Sequence, residues 1–482
     1  ALVDPARPIV LLPRRPDAAL PAALAPGLDE LGVMLPSTPL HHLLFADGAS
    51  LLVMTSGNRG EEPIARDDAD AAAALAAIAD ATLSHDREIH TRADDSVVRI
   101  VAGAPLPLRR ARGFVPEAIA LPYAGPPLVA VGAQLKSTVC LARGGEAFLS
   151  PHLGDLTQPA THALFVETID KLAHLLRMTP ELVAHDLHPD YRSTRWALDS
   201  SLPRVAVQHH HAHIAACLAE HGWAGAVIGV AFDGTGCGPD GAAWGGEWMI
   251  ADLGAFRRVG HLGAIRLPGG EAAIRQPWRL ALAALADAGV DADAASALLA
   301  RIDARRRAAV ARLCASDAAA PAATGAGRWF DAVAALAGVR DEVSYEGQAA
   351  VELEAAAAAG AHEPYPFALV PSPIFAIDLR PVVRAIAADV GAGVAAAVVA
   401  ARFHETMAQV IAAGCRAARA HADLSTVALS GGCFANRRLT ERALALLSAD
   451  GFATLVHRRV PPGDGGIALG QAAVASYRLR RS

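Results

Sequence analysis

The sequence is poor in cysteine, and its cysteines are scattered. Cys140, Cys217, Cys237, Cys314, Cys415 and Cys433 stand far apart, and none belongs to a C-x-x-C pair. This argues against a disulfide framework and against a cysteine-rich zinc finger, and a reducing cytoplasm is the expected setting. The chain also lacks a basic balance. Its net charge of -6 disfavours the broad positive footprint of a nucleic-acid binder. No apolar run reaches the ~18 residues of a membrane span. The stretch VGAGVAAAVVAARF (390–403) is apolar but short, and is expected as a buried helix. The start, ALVDPARPIVLLPRR, is broken by prolines and does not read as a signal peptide.

What is present is apolar material. Hydrophobic residues make up 53% of the 482 positions and charged residues 19%, enough for sizeable cores. The length suggests roughly two to four domains. Residues 1–123 read as an α/β unit, with PIVLLPRR and LLVMTSGN as short strands, DDADAAAALAAIA as a helix with acidic residues in its first turn, and SVVRIVAG and APLPLRR as further strands. LPYAGPP (121–127) has the composition of a linker. From Leu128, LVAVG, STVCLAR and EAFLS read as strands with a tight turn at Gly144-Gly145. AVIGVAFDGTG, GPDG and AAWGGEWMIADL repeat the strand–turn–strand pattern. The expected organisation is therefore a second domain over 124–482 with two lobes, about 124–225 and 226–482. A helical insertion is expected over about 272–365. TVALSGGCFANRRL then supplies a strand, a Gly-Gly turn and a helix start. Such a turn admits a ligand close to the backbone, and the helix N-terminus favours an anion. The pattern points to the actin/sugar-kinase/chaperone ATPase class.

The stretch VQHHHAHIAACLAEHG (207–222) carries the metal candidates. On a helix, His209 and His213 project from one face, as two ligands of one ion must. Asp233 in AFDGTG and Asp464 in PPGDGG end apolar segments beside glycines, where carboxylates can reach into a cleft. Two histidines and two carboxylates suit iron or zinc. The same residues also fit a packed histidine cluster with two turn or cap aspartates, and spacing alone does not separate the readings. Cys433 beside Gly432 is expected to be a small buried thiol rather than a nucleophile.

Together, VGAQLKSTVCLARGGEAFLSPHLGDL, QHHHAHIAA, AFDGTGCGPDGAAWGGEW, YEGQAAVELE, LSGGCFANRRL and PPGDGGIALGQA make residues 128–482 resemble the TsaD-like domain of the carbamoyltransferase HypF family, which matures [NiFe] hydrogenases. GLDELGVMLPSTPLHHLLF, VMTSGNRGEEPIA, REIHTRADDSVVR and LRRARGFVP make residues 1–123 resemble the later part of a YrdC-like domain. The family's acylphosphatase domain, zinc fingers and early YrdC-like segment have no counterpart here. The expected fold class is thus α/β: a partial YrdC-like domain followed by a two-lobed, actin/sugar-kinase-like domain.

The resemblance implies an ATP-dependent carbamoyltransferase. The carbamoyl group of a carbamoyl-adenylate would pass to the C-terminal cysteine of the partner HypE, for cyanide ligand synthesis. It implies His209, His213, Asp233 and Asp464 as ligands of one iron or zinc ion, and magnesium with ATP. Gly431, Gly432 and Asn436 match the nucleotide-contacting element, with Asp331, Glu346 and Gly347 on the ribose side. Lys136 and Ser137 sit where phosphate or carbamoyl oxygens would lie. Thr55, Ser56, Asn58, Ser96, Arg99 and Arg110 match candidate adenylate contacts. Neither nucleic acid nor membrane is an expected partner. Two other functions compete: a small-molecule O-carbamoyltransferase, whose two modules would stand in the reverse order, and a non-catalytic nucleotide-binding scaffold.

Overall fold

The computed structural model describes residues 1–480 apart from positions 16, 19, 47, 61 and 292–294. Among the described residues, three sheets organise the chain. The first has the order Glu30–Val33, Ile9–Pro13, Val97–Val101, Ala104–Arg109. Ile9–Pro13 pairs in parallel with Val97–Val101, and the other two contacts are antiparallel. Two short helices, Pro39–Ala46 and Asp68–Leu75, lie between the second and third strands in sequence, and neither has buried residues. LLVMTSGN, expected as a strand, is not one: Leu51, Val53 and Met54 are exposed. An extended segment becomes a strand only when its backbone donors and acceptors find a neighbour, and no described strand lies beside it.

The second sheet has the order Cys140–Leu149, Ile119–Ala130, Leu182–Asp186, Arg204–Val207. Two expectations change here. LPYAGPP is not a linker but part of the strand Ile119–Ala130, whose pairing with Cys140–Leu149 shifts register between Ala120 and Gly125 and again between Gly125 and Leu128. Proline cannot donate to a ladder, and such irregular stretches are where a strand tolerates it. Gly144-Gly145 makes no hairpin turn either. It lies within the strand Cys140–Leu149, with Gly144 opposite Gly125, and residues 131–139 make the connection.

The third sheet repeats the opening hairpin, with Val227–Cys237 antiparallel to Ala243–Ala251. Thr426–Ser430 pairs in parallel on the other side of Val227–Cys237. The expected insertion is helical, with Pro277–Asp287, Ala304–Cys314, Ala326–Leu336 and Gln348–Ala356 as its longer helices. The 390–403 stretch feeds the buried helix Ala396–Ala422. One core gathers Phe232, Trp248, Trp278, Phe330, Phe375 and Phe403.

A second core lies around two helices, His209–Glu220 and Ile467–Arg478. The histidine helix is buried on every side, so its imidazoles face protein rather than water. The two helices cross at Gly470, where an added Cβ would overlap the Ala212 carbonyl oxygen. Glycine is required by this close approach. Gly470→Ala should therefore destabilise the chain by about 1–3 kcal/mol or more, because a tight contact between backbones cannot give way. A fall of several degrees in the thermal midpoint is expected; an unchanged midpoint would contradict the crossing.

Candidate functional site

The histidine helix begins where Gln208 caps it: the Gln208 side chain accepts the His211 N–H at 2.8 Å. His209 is its first residue and His213 lies one turn on. Both Nε2 atoms converge on the two distant aspartates. Asp233 Oδ2 lies 3.4 Å from His209 Nε2 and 3.5 Å from His213 Nε2. Asp464 Oδ1 lies 3.7 Å from each. Four ligands placed tetrahedrally at ~2.0–2.2 Å from one ion would stand roughly 3.3–3.6 Å apart, so the spacing fits a zinc-like or iron-like centre. His213 Nε2 is buried without a hydrogen-bond partner, which an ion would relieve. These four residues could therefore hold a divalent metal.

Asp186 completes the arrangement. Its Oδ2 lies 2.8 Å from His209 Nδ1, with both side chains buried. A proton on Nδ1 toward Asp186 leaves the Nε2 lone pair aimed into the cluster, the usual outer support of a metal-binding histidine. Asp186 ends the strand Leu182–Asp186 as Asp233 ends the run AVIGVAFD, so the same strand-end pattern could have marked it.

The electrostatics favour a proton where an ion would bind. Burial disfavours the His209 imidazolium, but the Asp186 carboxylate outweighs it and holds the pKa well above the ordinary value. Burial, then the Asp233 charge, raises the Asp464 pKa. Burial opposes ionisation of Asp233 as well, yet the His209 and His213 imidazoles beside it hold its pKa well down.

The Gly-Gly turn joins this cluster directly. Gly431 has φ 104°, and a Cβ there would overlap the Phe232 carbonyl. Gly432 N–H donates to Asp233 Oδ1 at 3.0 Å, so one carboxylate is shared by the turn and the histidine pair. Asn436 is engaged inside the protein. Its Oδ1 caps the helix Arg437–Ala449 through the Leu439 N–H at 2.9 Å, and its Nδ2 lies 2.9 Å from His404 Nε2. His404 Nδ1 stands 2.7 Å from the Ala400 carbonyl, so Nδ1 donates and Nε2 accepts. Burial lowers the His404 pKa to about 4, keeping the ring neutral. Cys433 is part-buried, and burial raises its thiol pKa, as expected of a thiol with a packing role.

Lys136 Nζ pairs with Glu346 Oε2 at 2.8 Å. Only one other lysine, Lys171, occurs in the sequence, so an ammonium is a rare choice here. Ser137 Oγ is buried without a partner, and Thr138 Oγ1 donates to the carbonyl of Gly465, next to Asp464. Asp331 is buried and pairs with Arg328 at 2.9 Å, and burial raises its pKa. Gly347, at φ 78°, precedes the helix Gln348–Ala356.

A cavity of about 980 Å³ separates the first domain from the lobe that follows it. Ser56, Asn58, Arg109, Arg112, Lys136 and Glu346 are among its walls. Thr55, Ser96, Arg99 and Arg110 are not. Ser96 Oγ donates to the Arg112 carbonyl, and Arg110 donates to the Glu117 carbonyl. Arg99 lies in the domain interface, at 2.9 Å from Glu30 and 2.8 Å from Glu354, and also donates to the Ala435 carbonyl. Successive side chains of a strand point to opposite faces, and composition does not say which face meets the neighbouring domain. The arginines among the cavity walls are Arg92, Arg109 and Arg112, and the Arg112 guanidinium donates to Asp95 and to the Ala6 and Arg7 carbonyls.

Asp186→Asn should weaken zinc binding by roughly 10- to 100-fold. Isothermal titration of the metal-free chain checks this, and wild-type affinity in the variant would refute the supporting role. Because His209 and Asp464 hold protons that an ion must displace, affinity should rise with pH. Zinc affinity should fall by about tenfold per pH unit for each proton displaced as the solution is acidified. A flat profile between pH 6 and 8 would contradict the raised pKa values.

Comparison with known proteins agrees with this architecture. The family model described as "Carbamoyltransferase, Kae1-like Domain, second subdomain" matches residues 229–471. "HypF Kae1-like domain" matches 123–220, and the Sua5/YciO/YrdC model, described as "Telomere recombination", matches 2–111. "Carbamoyltransferase HypF2" of Cupriavidus necator is 44% identical over 98% of this chain and 64% of its own length. A "Carbamoyltransferase HypF homolog" of the same organism is 40% identical over 73% of this chain and 91% of its own length. A crystal structure of full-length HypF in a phosphate- and nucleotide-bound form superposes with a TM-score of 0.96 at 40% identity, covering all of this chain and 76% of that one. The chain thus spans just under two thirds of the length of relatives such as the first. With a YrdC-like unit, two Kae1-like subdomains and close likeness along nearly its whole length, the chain belongs to the carbamoyltransferase HypF family.

Proposed function

We propose that this chain is an ATP-dependent carbamoyltransferase of the cytoplasm that passes a carbamoyl group from carbamoyl-adenylate to the C-terminal cysteine of HypE, toward the cyanide ligands of [NiFe] hydrogenases. The observation that carries the proposal is the shared Asp233 carboxylate. One oxygen receives Gly432 N–H from the Gly-Gly turn, and the other faces His209 and His213. A nucleotide-type loop and a metal-type cluster are thereby parts of one site. That a relative's structure is nucleotide-bound supports ATP as ligand here, with magnesium accompanying it. Among the described residues, no helix is long and apolar enough to cross a membrane.

In the proposed reaction the acceptor thiolate attacks the carbamoyl carbon. The bond from that carbon to the adenylate oxygen breaks, and AMP leaves with the electron pair; the products are the S-carbamoyl thiol ester and AMP. An activated donor needs no covalent enzyme intermediate, so the protein's work is orientation and charge stabilisation. With no side chains in the way, the Gly431-Gly432 turn would let the nucleotide approach the backbone closely. Lys136, paired with Glu346, supplies a point charge on the cavity wall, whereas Ser137 is buried beside it and is not among the walls. An iron or zinc ion held by His209, His213, Asp233 and Asp464 would polarise a phosphate or carbamoyl oxygen. Ser56, Asn58, Arg109 and Arg112 would face the adenylate from the first domain.

The test is incubation of the chain with carbamoyl-adenylate and HypE, followed by mass spectrometry of the HypE C-terminus. Carbamoylation of the cysteine is expected, with loss of at least a hundredfold in rate for the His209→Ala, His213→Ala pair. A carbamoylated small alcohol beside an unmodified cysteine would overturn the acceptor assignment, and no transfer to either would favour a binding scaffold.

A further inference from the structure

The far end of the histidine helix carries a second buried constellation. Glu220 Oε1 stands 2.7 Å from His457 Nδ1, and His457 Nε2 stands 2.8 Å from Ser430 Oγ. His457 and Ser430 are buried, as is the Glu220 side chain. A proton on Nδ1 would face the carboxylate and leave Nε2 to accept from the serine hydroxyl, which also lies 3.4 Å from the Pro462 carbonyl. The order Ser–His–Glu is that of an activated nucleophile. Access argues otherwise. Ser430 is fully buried, it is not among the walls of the large cavity, and the void beside His457 is only about 10 Å³, too small for a substrate. Cys217 and His221 also stand near Glu220, but its Oε2 already receives the N–H groups of Arg458, Arg459 and Val460 at 3.1, 2.6 and 3.2 Å.

The three residues belong to the three segments that build the metal cluster. Glu220 ends the helix whose N-terminal half bears His209 and His213. Ser430 immediately precedes Gly431-Gly432, the turn that grips Asp233. His457 opens the segment that leads through Pro461-Pro462 to Asp464, and Gly431 N–H donates back to the Pro462 carbonyl at 2.9 Å. We infer that His457 is a positioning residue: with Glu220 and Ser430 it clamps these segments together and so sets the spacing of the four candidate ligands. The inference rests on reading those four residues as a divalent-metal site.

The experiment compares wild type, Ser430→Ala, His457→Gln and the double variant as the full, metal-free chain. Zinc affinity is measured by competition with a chromogenic chelator, and thermal unfolding without metal serves as the fold control. Ser430→Ala and His457→Gln are each expected to lose about tenfold in zinc affinity, in the range found for outer-shell partners, while Ser430→Ala keeps its metal-free melting temperature. The double variant is expected to lose no more than the worse single one, because both break one chain of contacts. Should His457→Gln fail to fold, Ser430→Ala alone decides. Wild-type affinity in the single variants, or fully additive losses, would overturn the clamp. Failure of wild type itself to bind zinc or ferrous iron would overturn the metal reading, and the clamp with it.

Discussion

The candidate site depends on one carboxylate shared between a backbone turn and two imidazoles. Asp233 is held on one side by a backbone N–H and faces two imidazoles on the other. That geometry requires the Gly-Gly turn to sit against the end of Val227–Cys237 more closely than any side chain at Gly431 would allow. It also requires the histidine helix to be buried on all sides, which the crossing at Gly470 permits. Close backbone packing and electrostatics are therefore one problem. Desolvation makes a lone charge costly, so the carboxylates and imidazoles are placed where each can compensate another.

A similar economy joins the two domains. Arg99 bridges Glu30 of its own sheet and Glu354 of the second domain, while Arg437 takes the other oxygen of Glu30. Arg458 donates to the Val101 carbonyl across the same boundary. Removing one partner of such a buried pair strands the other charge. The first domain is thus keyed to the segments that border the Gly-Gly turn. The large cavity is lined from both sides of this boundary.

The parts of this arrangement legible in the sequence are those in which local spacing decides position. His209 and His213 lie one helical turn apart, and Asp233 and Asp464 stand beside glycines at the ends of apolar segments; the structure brings all four together. What depends on tertiary pairing was not legible. The prolines of LPYAGPP suggest a linker, yet a bulged strand accommodates them. Arg99 and Arg110 belong to the motifs that carry the resemblance, yet Arg99 is paired with Glu30 and Glu354 in the interface and Arg110 donates inward to the Glu117 carbonyl, while Arg109 and Arg112 are among the cavity walls. Asp186 and His457 are single residues whose importance comes only from what stands across from them.

The wide separation of the cluster along the chain has a consequence for synthesis. His209 and His213 leave the ribosome long before Asp464, and the helix that packs over them, Ile467–Arg478, comes later still. A nascent chain therefore displays two imidazoles without the carboxylate that closes the set. Four-fold coordination becomes available only when the last segments dock. An ion held by all four residues would therefore be fully bound only once the tertiary structure is complete.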